Sequence, residues 1–338
     1  MKVLVTGSRG YIGTVLMGML ADRGHEAVGF DAGWYEGADF GLVPDIELIS
    51  GDIRTIPVET LQGFDAVLHF AAICNDPIGD LDSSVTYSIN RDASVALAEK
   101  AKSAGVGRFV FSSSCSLYGA GAPGELLDES AAFNPVTPYG TSKVEAEQGI
   151  NGLAGGGFSV THLRNATAFG LSPRLRCDVV VNNLAGHAVG KGAVLVKSDG
   201  TPWRPLVHVE DISAAAIQLM EADGSLVDRR AFNIVPEGEN HQVGAVAEMV
   251  AEAAGVTVRF EPGGEPDIRD YQVDGSAFLE TFPEFSYQWT VPLGIEQIVS
   301  GFQDFNITIH DVEETFKRLT WIDRHRGNGS MDDMLRWV

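Results

Sequence analysis

Cysteine is scarce in this 338-residue chain, which carries only Cys74, Cys115 and Cys177. An odd, sparse set without metal-ligand spacing points away from a disulfide scaffold or a cysteine-built metal site. It fits reduced thiols in a reducing compartment. Positive charge is short as well: 24 Lys and Arg stand against 46 Asp and Glu, a formal net charge of −22. So acidic a surface repels nucleic acid and anionic membrane, and neither is an expected partner. It does not exclude a small anionic substrate held by a few local arginines. Long apolar runs are missing too, since none approaches the ~20 residues of a membrane span. The opening MKVLVTG is itself an apolar strand, without the charged start and long apolar stretch of a signal peptide, so the expected compartment is the cytoplasm. Repeats and low-complexity tracts are absent.

What is present suits a globular enzyme. A hydrophobic fraction of 44% with 21% charged residues is too apolar for disorder, and the length allows one large or two intimately joined domains. Short β-branched apolar runs predict strands at Lys2–Thr6 and at residues 27–30, 46–50, 66–70, 108–112 and 160–164. Between them, apolar residues recur at helical spacing. Ile12, Val15, Leu16, Met19 and Leu20 form the first set, closed by Gly24, and residues 94–104 and 139–153 carry others. Strand alternating with helix predicts an α/β fold, a doubly wound parallel sheet with helices on both faces. After about Leu171 the pattern loosens into a short strand at residues 193–196 and helices at 211–222 and 242–254. The expected division is a dinucleotide-binding domain over residues 1–171, to which segments around 205–235 return, and a smaller α/β substrate lobe over the rest of residues 172–338.

The stretch VTGSRGYIG sets Gly7, Gly10 and Gly13 between the first strand and the first helix. Glycines there permit a tight turn and let the backbone approach a pyrophosphate seated on the helix N-terminus. The spacing is GxxGxxG rather than GxGxxG, and alone it could mark a mere turn. Asp31 ends the second strand 18 residues after Gly13. A carboxylate there can bind the adenosine ribose hydroxyls of NAD and repel the 2′-phosphate of NADP. Arg9, inside the turn, could instead face that phosphate; Asp31 decides for NAD. Asp52, in GDIR after the third strand, is a candidate contact for the adenine edge.

The fifth strand runs into SSSCSLYG, which places hydroxyls at the carboxyl end of the sheet, where ligands of open α/β sheets bind. Tyr139 and Lys143 stand four residues apart at a helix start, hence on one face. A tyrosine with a pKa of ~10 is a poor base at neutral pH. A neighbouring ammonium and a positive nicotinamide ring favour its phenolate. YxxxK pairs are common by chance; one preceded by this glycine turn and this serine run is not.

The chain resembles the extended short-chain dehydrogenases/reductases that process nucleotide sugars, a group holding 4-epimerases, 4,6-dehydratases and 4-ketoreductases. VTGSRGYIG, GDIR, LHFAA, SSSCSLYG, PYGTSK, LRNATAFG and PWRPLVHVEDI carry the likeness, which covers nearly the whole chain. It implies a Rossmann-type sheet and NAD as cofactor, lined by Tyr11, Ile12, Ile53, Phe70, Ala71, Ala72, Asn90 and Ser112. Ser114 is the implied catalytic hydroxyl, Tyr139 the base and Lys143 the ligand of the nicotinamide ribose. Arg204 and Arg269 match a pair that grips the substrate diphosphate, which suits bidentate charge recognition. Asn183 is a further expected substrate contact. Asn75, after LHFAA, could touch the sugar or merely shape a turn. His208 is expected to satisfy a structural partner.

The departures are informative. Many relatives carry Asn where this chain has Thr167, which puts one diphosphate contact in doubt. Dehydratases place Asp and Glu at the two positions held here by Cys115 and Ser116, and neither of these is a convincing acid for expelling a hydroxyl. The resulting expectation is an epimerase that oxidises and re-reduces sugar carbon 4. A 4-keto-sugar reductase, a dehydratase and a non-catalytic NAD-binding regulator are the alternatives. Relatives pack the segments at 94–104 and 139–153 into a dimer interface, so a homodimer is expected. No metal is expected.

Overall fold

Successive side chains of a strand point to opposite faces, so a strand apolar at every position must be covered on both. In the computed structural model, which describes all residues except 75–77, 79–81, 123 and 261–268, β1 (Lys2–Thr6) carries such an apolar run from Val3 to Val5. Val3 and Val5 join one apolar cluster with Leu16, Leu20 and Ile212. Leu4 between them joins another with Val28, Leu97, Ala98 and Ile150. Further strands are β2 (Glu26–Asp31), β3 (Leu48–Ser50), β4 (Ala66–His69), β5 (Arg108–Ser114), β6 (Ser159–Asn165) and β7 (Arg230–Ile234). They form one seven-stranded sheet in the order β7-β6-β5-β4-β1-β2-β3, every pair parallel. The chain leaves β1 toward β2 on one side and reaches β4 on the other, so the order reverses at the β1–β4 seam. The carboxyl ends of all seven strands lie along one edge.

The predicted α/β architecture is the one observed. Its second, fifth and sixth strands run two residues beyond the apolar runs, because polar ends such as Ser113, Ser114 and Asn165 still pair in the ladder. The third strand is shorter, beginning at Leu48 rather than at residue 46, and the fourth ends at His69 rather than at residue 70.

Helix α1 (Tyr11–Asp22) crosses one face of the sheet. On the other face lie α2 (Ser94–Ser103) and α3 (Pro138–Asn151), packed on each other. Gly149 of α3 makes room for Val95, because a Cβ there would stand 2.6 Å from a Val95 methyl. α2 is the continuation of a helical stretch that begins at Ser83 and widens into a π turn over Ser88–Ala93.

A third cluster surrounds Leu184, Val250, Ile298 and Phe302, between α4 (Val180–Lys191), α6 (Val243–Ala254) and α7 (Val291–Phe305). Between α4 and α6 in sequence, α5 (Val209–Glu221) returns to pack on α1 beneath the main sheet, and β7 becomes the sheet's edge. Strand Trp203–His208 pairs with Thr167–Phe169 on one side and Asn240–Gln242 on the other, and Ala193–Val196 pairs with Thr257–Phe260. α8 (Arg318–Gly327) and the segment after it come back to the main sheet, where Ile322, Met331 and Leu335 enter the same cluster as Phe30 and Ile56.

Among the described residues no helix is long and apolar enough to cross a membrane, and no group of three metal-ligating side chains occurs. All three cysteines are free thiols.

Candidate functional site

One cavity of ≈ 680 Å³ runs along the carboxyl edge of the sheet and into the region of α4 and α6. At one end it is lined by Asp31, Asp52 and Ile53, then by Gly7, Gly10, Tyr11, Ile12 and Gly13. Phe70, Ala71, Ala72, Ser112, Ser114, Tyr139 and Lys143 form its middle. Thr167, Asn183, Arg204 and Arg269 line the far end. Of the residues singled out from sequence, Asn90 does not line it, and Asn75 lies outside the described residues.

The glycine turn is built for close backbone approach. A Cβ on Gly13 would stand 2.0 Å from the Gly7 carbonyl oxygen, and one on Gly7, where φ is +74°, would stand 2.6 Å from the Ala71 nitrogen. The turn therefore seats directly on the end of β4, and the first turn of α1 opens onto the cavity with its amides free for an anion. Tyr11, which opens α1, gives its phenol to the Gly170 carbonyl at 2.6 Å, so its hydroxyl serves the fold. Asp31 accepts from the Gly33 amide at 2.8 Å and the Arg9 amide at 3.0 Å. Burial pushes its carboxyl up, against the pull of those two amides. The Arg9 guanidinium, the alternative partner for a 2′-phosphate, is taken by Glu36. A glycine cradle that any Cβ would fill, beside a half-buried carboxylate at the end of β2, fits a dinucleotide.

Two expected cofactor contacts also have partners inside the fold. The Asp52 carboxylate holds Arg54, with Nε at 2.9 Å and Nη2 at 2.5 Å, so at the adenosine end it acts as part of an ion pair. The Asn90 side chain accepts from the Ile73 amide at 2.8 Å and donates to the Ile73 carbonyl at 2.7 Å. It sits on the π turn and fixes the chain leaving β4, behind the cavity wall rather than on it.

At the centre, Thr137 caps α3 by accepting from the Gly140 amide at 3.2 Å, and Pro138 starts the helix. Tyr139 therefore stands on the first turn and Lys143 one turn in. Lys143 is buried, and its ammonium donates to the Ser112 carbonyl at 2.7 Å. It lies 5.8 Å from the centre of the Tyr139 ring. Burial pulls its pKa down to about 8. Ser114, the last residue of β5, accepts from the Ser116 amide at 3.1 Å and shares a hydrogen bond with the Ser116 hydroxyl at 3.1 Å. Cys115 points the other way: its thiol donates to the Arg164 carbonyl at 3.0 Å, and burial pushes its pKa up. Behind it the buried Arg164–Glu147 pair closes at 2.8 Å and joins the Tyr118 hydroxyl at 3.0 Å.

At the far end Arg204 is buried and gives one guanidinium nitrogen to the Trp203 carbonyl at 2.6 Å and the same nitrogen to the Arg269 carbonyl. Asn183 donates to the Cys177 carbonyl at 2.8 Å. Thr167 sits beside Asn165, which donates to the Ser112 hydroxyl at 3.0 Å. His208 is fully buried and bonded to Gln297 at 2.9 Å and to the Glu210 amide at 3.3 Å, a structural histidine. Sequence reasoning passed over Tyr271, Ser116, Arg176 and Arg318, which all line the cavity. Ser116 could have been found from the hydroxyl run; the others come from distant segments without local signal.

Residues 3–234 match the model of the NAD dependent epimerase/dehydratase family. The UDP-glucose 4-epimerase of Erwinia amylovora is 26% identical over 330 residues, covering 88% of this chain and 96% of that protein. The UDP-glucose 4-epimerase of Corynebacterium glutamicum is 29% identical over 279 residues, covering 77% and 83%. Among solved structures, MoeE5 in complex with UDP-glucose and NAD superposes with a TM-score of 0.78 at 26% identity, covering 90% of this chain and 99% of that one.

Proposed function

The chain belongs to the NAD dependent epimerase/dehydratase family, and on that premise we propose that it epimerises a nucleoside-diphosphate sugar at carbon 4. The observation that carries this reading is one cavity with three parts in line. The glycine turn and Asp31 lie at one end, Ser114, Tyr139 and Lys143 at the centre, and Arg204 with Arg269 at the other end. The two arginines suit a substrate diphosphate, which matches relatives named for UDP-glucose and a structural neighbour holding UDP-glucose with NAD.

When bound, NAD supplies a nicotinamide that can take a hydride and return it. The chain supplies the proton chemistry and the positioning. Tyr139 takes the proton from the sugar's 4-hydroxyl and returns it to the 4-oxygen once the 4-keto sugar has turned and presents its other face. The Lys143 ammonium favours the phenolate that this requires. Ser114 holds the same sugar oxygen. Arg204 and Arg269 hold the diphosphate while the sugar turns, so the intermediate stays with the protein.

Elimination of water needs an acid and a base beside carbons 5 and 6. Cys115 turns its raised-pKa thiol toward the Arg164 carbonyl, away from the cavity, and Ser116 brings only a hydroxyl. That favours the epimerase over the dehydratase. The Asp31 end favours it over a reductase, because a cofactor regenerated in each turnover suits NAD whereas biosynthetic reduction usually draws on NADPH.

The test follows reduced-cofactor absorbance together with product NMR on a panel of nucleoside-diphosphate sugars. Isomerisation of a parent sugar without net cofactor change is expected. Stoichiometric oxidation of NADH or NADPH by a 4-keto sugar, with no parent sugar isomerised, would overturn the proposal.

A further inference from the structure

Arg176 and Arg318 line the cavity between the glycine turn and the C-terminal segment, Arg9 and Arg174 stand behind them near Asp31, and three of these four have a carboxylate. Arg9 pairs with Glu36, Arg174 with Asp39 and Arg176 with Asp178. Arg318 pairs with none among the described residues. Only 3% of it is exposed, one guanidinium nitrogen donates to the Arg174 carbonyl at 3.0 Å, and the other terminal nitrogen, Nη1, has no hydrogen-bond partner. The guanidinium lies 4.3 Å from the centre of the Tyr35 ring. Burial and the charge of Arg176 both work against its ionisation, pulling its pKa to about 10, yet it stays charged at neutral pH. A buried cation on the wall of a cavity, with a donor unused and no carboxylate partner, is costly unless an anion comes to it.

The fold says which part of the cavity this is. Arg176 and Arg318 both act on Tyr11, the residue that opens α1, opposing the upward push that burial gives its phenol. Tyr35 belongs to the chain leaving β2, five positions past Phe30. Arg318 thus stands in the dinucleotide half, and Arg204 with Arg269 stand in the substrate half. Arg318 is the first residue of α8, beyond the residues that match the family model, and the chain from α8 onward is fastened over the adenosine end. His325 contacts the Trp34 carbonyl at 3.0 Å and the Trp337 indole donates to the Ala32 carbonyl at 2.5 Å. Arg54, held by Asp52, reaches the Met334 carbonyl at 2.6 Å.

We propose that Arg318, with Arg176, is a ligand of the cofactor's diphosphate, supplementing the amides at the start of α1, and that α8 and the segment after it form a clasp that keeps NAD bound. This rests on the family's use of NAD and adds the residues that retain it. The clasp suits a reaction in which the cofactor ends each turnover as it began and has no need to leave.

The test measures equilibrium affinity for NAD, ADP-ribose, adenosine and UDP by calorimetry, and NAD release after rapid dilution, in the whole protein and in R318A. A charge-assisted contact to a phosphate is a strong one. R318A is expected to bind NAD and ADP-ribose roughly 10- to 100-fold more weakly and to release NAD faster, with adenosine and UDP unmoved. Should R318A fail to fold, R318K carries the test, because lysine keeps the charge but loses the fork; several-fold weaker NAD and ADP-ribose binding is then expected. NAD affinity equal to that of the unaltered protein overturns the clasp, as does a loss confined to UDP, which would assign Arg318 to the substrate. Failure of the unaltered protein to bind NAD at all would overturn the cofactor reading beneath it and the clasp together.

Discussion

Lys143 of α3 donates its buried ammonium to the carbonyl of Ser112 on β5 at 2.7 Å, two residues before Ser114. That bond ties the helix carrying Tyr139 to the strand carrying the candidate hydroxyl. It also holds a charge in a place that opposes it, which makes stability depend on pH. Lysine ordinarily titrates at 10.5, and burial brings Lys143 to about 8. Between those values the unfolded chain binds more protons than the folded one, so stability rises with pH across that window. Below about pH 8 the penalty is fully present, and above about 10.5 it is gone. The cofactor-free protein should gain on the order of 1–3 kcal/mol across the window relative to K143M. Equal pH slopes for the two proteins in urea unfolding would contradict this.

Tyr139→Phe should lose at least ~10²-fold in turnover, the low end of what general acid–base catalysis supplies, while cofactor affinity holds. Unaltered turnover on the substrate found by the panel would remove Tyr139 from the mechanism.

Asp31 accepts two backbone amides and faces the cavity, while Glu36 neutralises Arg9. NAD should therefore bind more tightly than NADP, and Asp31→Ala should narrow that preference by ~10-fold or more, since a like-charge clash with the 2′-phosphate is lost. Tighter NADP binding by the unaltered protein, measured by fluorescence titration, would sink the claim.

Two glycines of α1 separate cradle from spacer. At Gly13 an added methyl meets the Gly7 carbonyl at 2.0 Å, whereas at Gly18 it meets nothing within 4 Å. Gly13→Ala should weaken NAD binding by more than ~10-fold or prevent folding, because backbone cannot step aside cheaply. Gly18→Ala should raise stability by about 0.5–1 kcal/mol, the gain for a glycine in a helix interior. A Gly13→Ala protein that folds and binds NAD normally would show that the cradle tolerates a side chain.

The packed pair α2 and α3 is the face on which we expect a second copy to dock. Light scattering at micromolar concentration should give twice the chain mass. A strictly monomeric mass would refute the dimer.

The strands, the glycine turn and the Tyr139–Lys143 pair were legible because each rests on a local period: two along a strand, 3.6 along a helix, three between the glycines. Those periods determined the doubly wound sheet and brought the turn, Ser114, Tyr139 and Lys143 to its carboxyl edge. They said nothing of side-chain partners far away in the chain. Asp52 lines the cavity as expected, but its partner Arg54, which bridges to the carbonyls of Met334 and Leu335, shows only in the fold. Asn90 looks like a cofactor contact until the π turn aims it at Ile73. Cys115 neighbours Ser114 in sequence, yet the backbone rotates its thiol to the opposite side. Arg318 carries no motif at all, and only the return of α8 across the sheet brings it beside Tyr35 and Arg176. Local periodicity chooses which face a residue occupies; which partner meets it there is decided by contacts hundreds of residues apart, whose closure only the folded chain supplies.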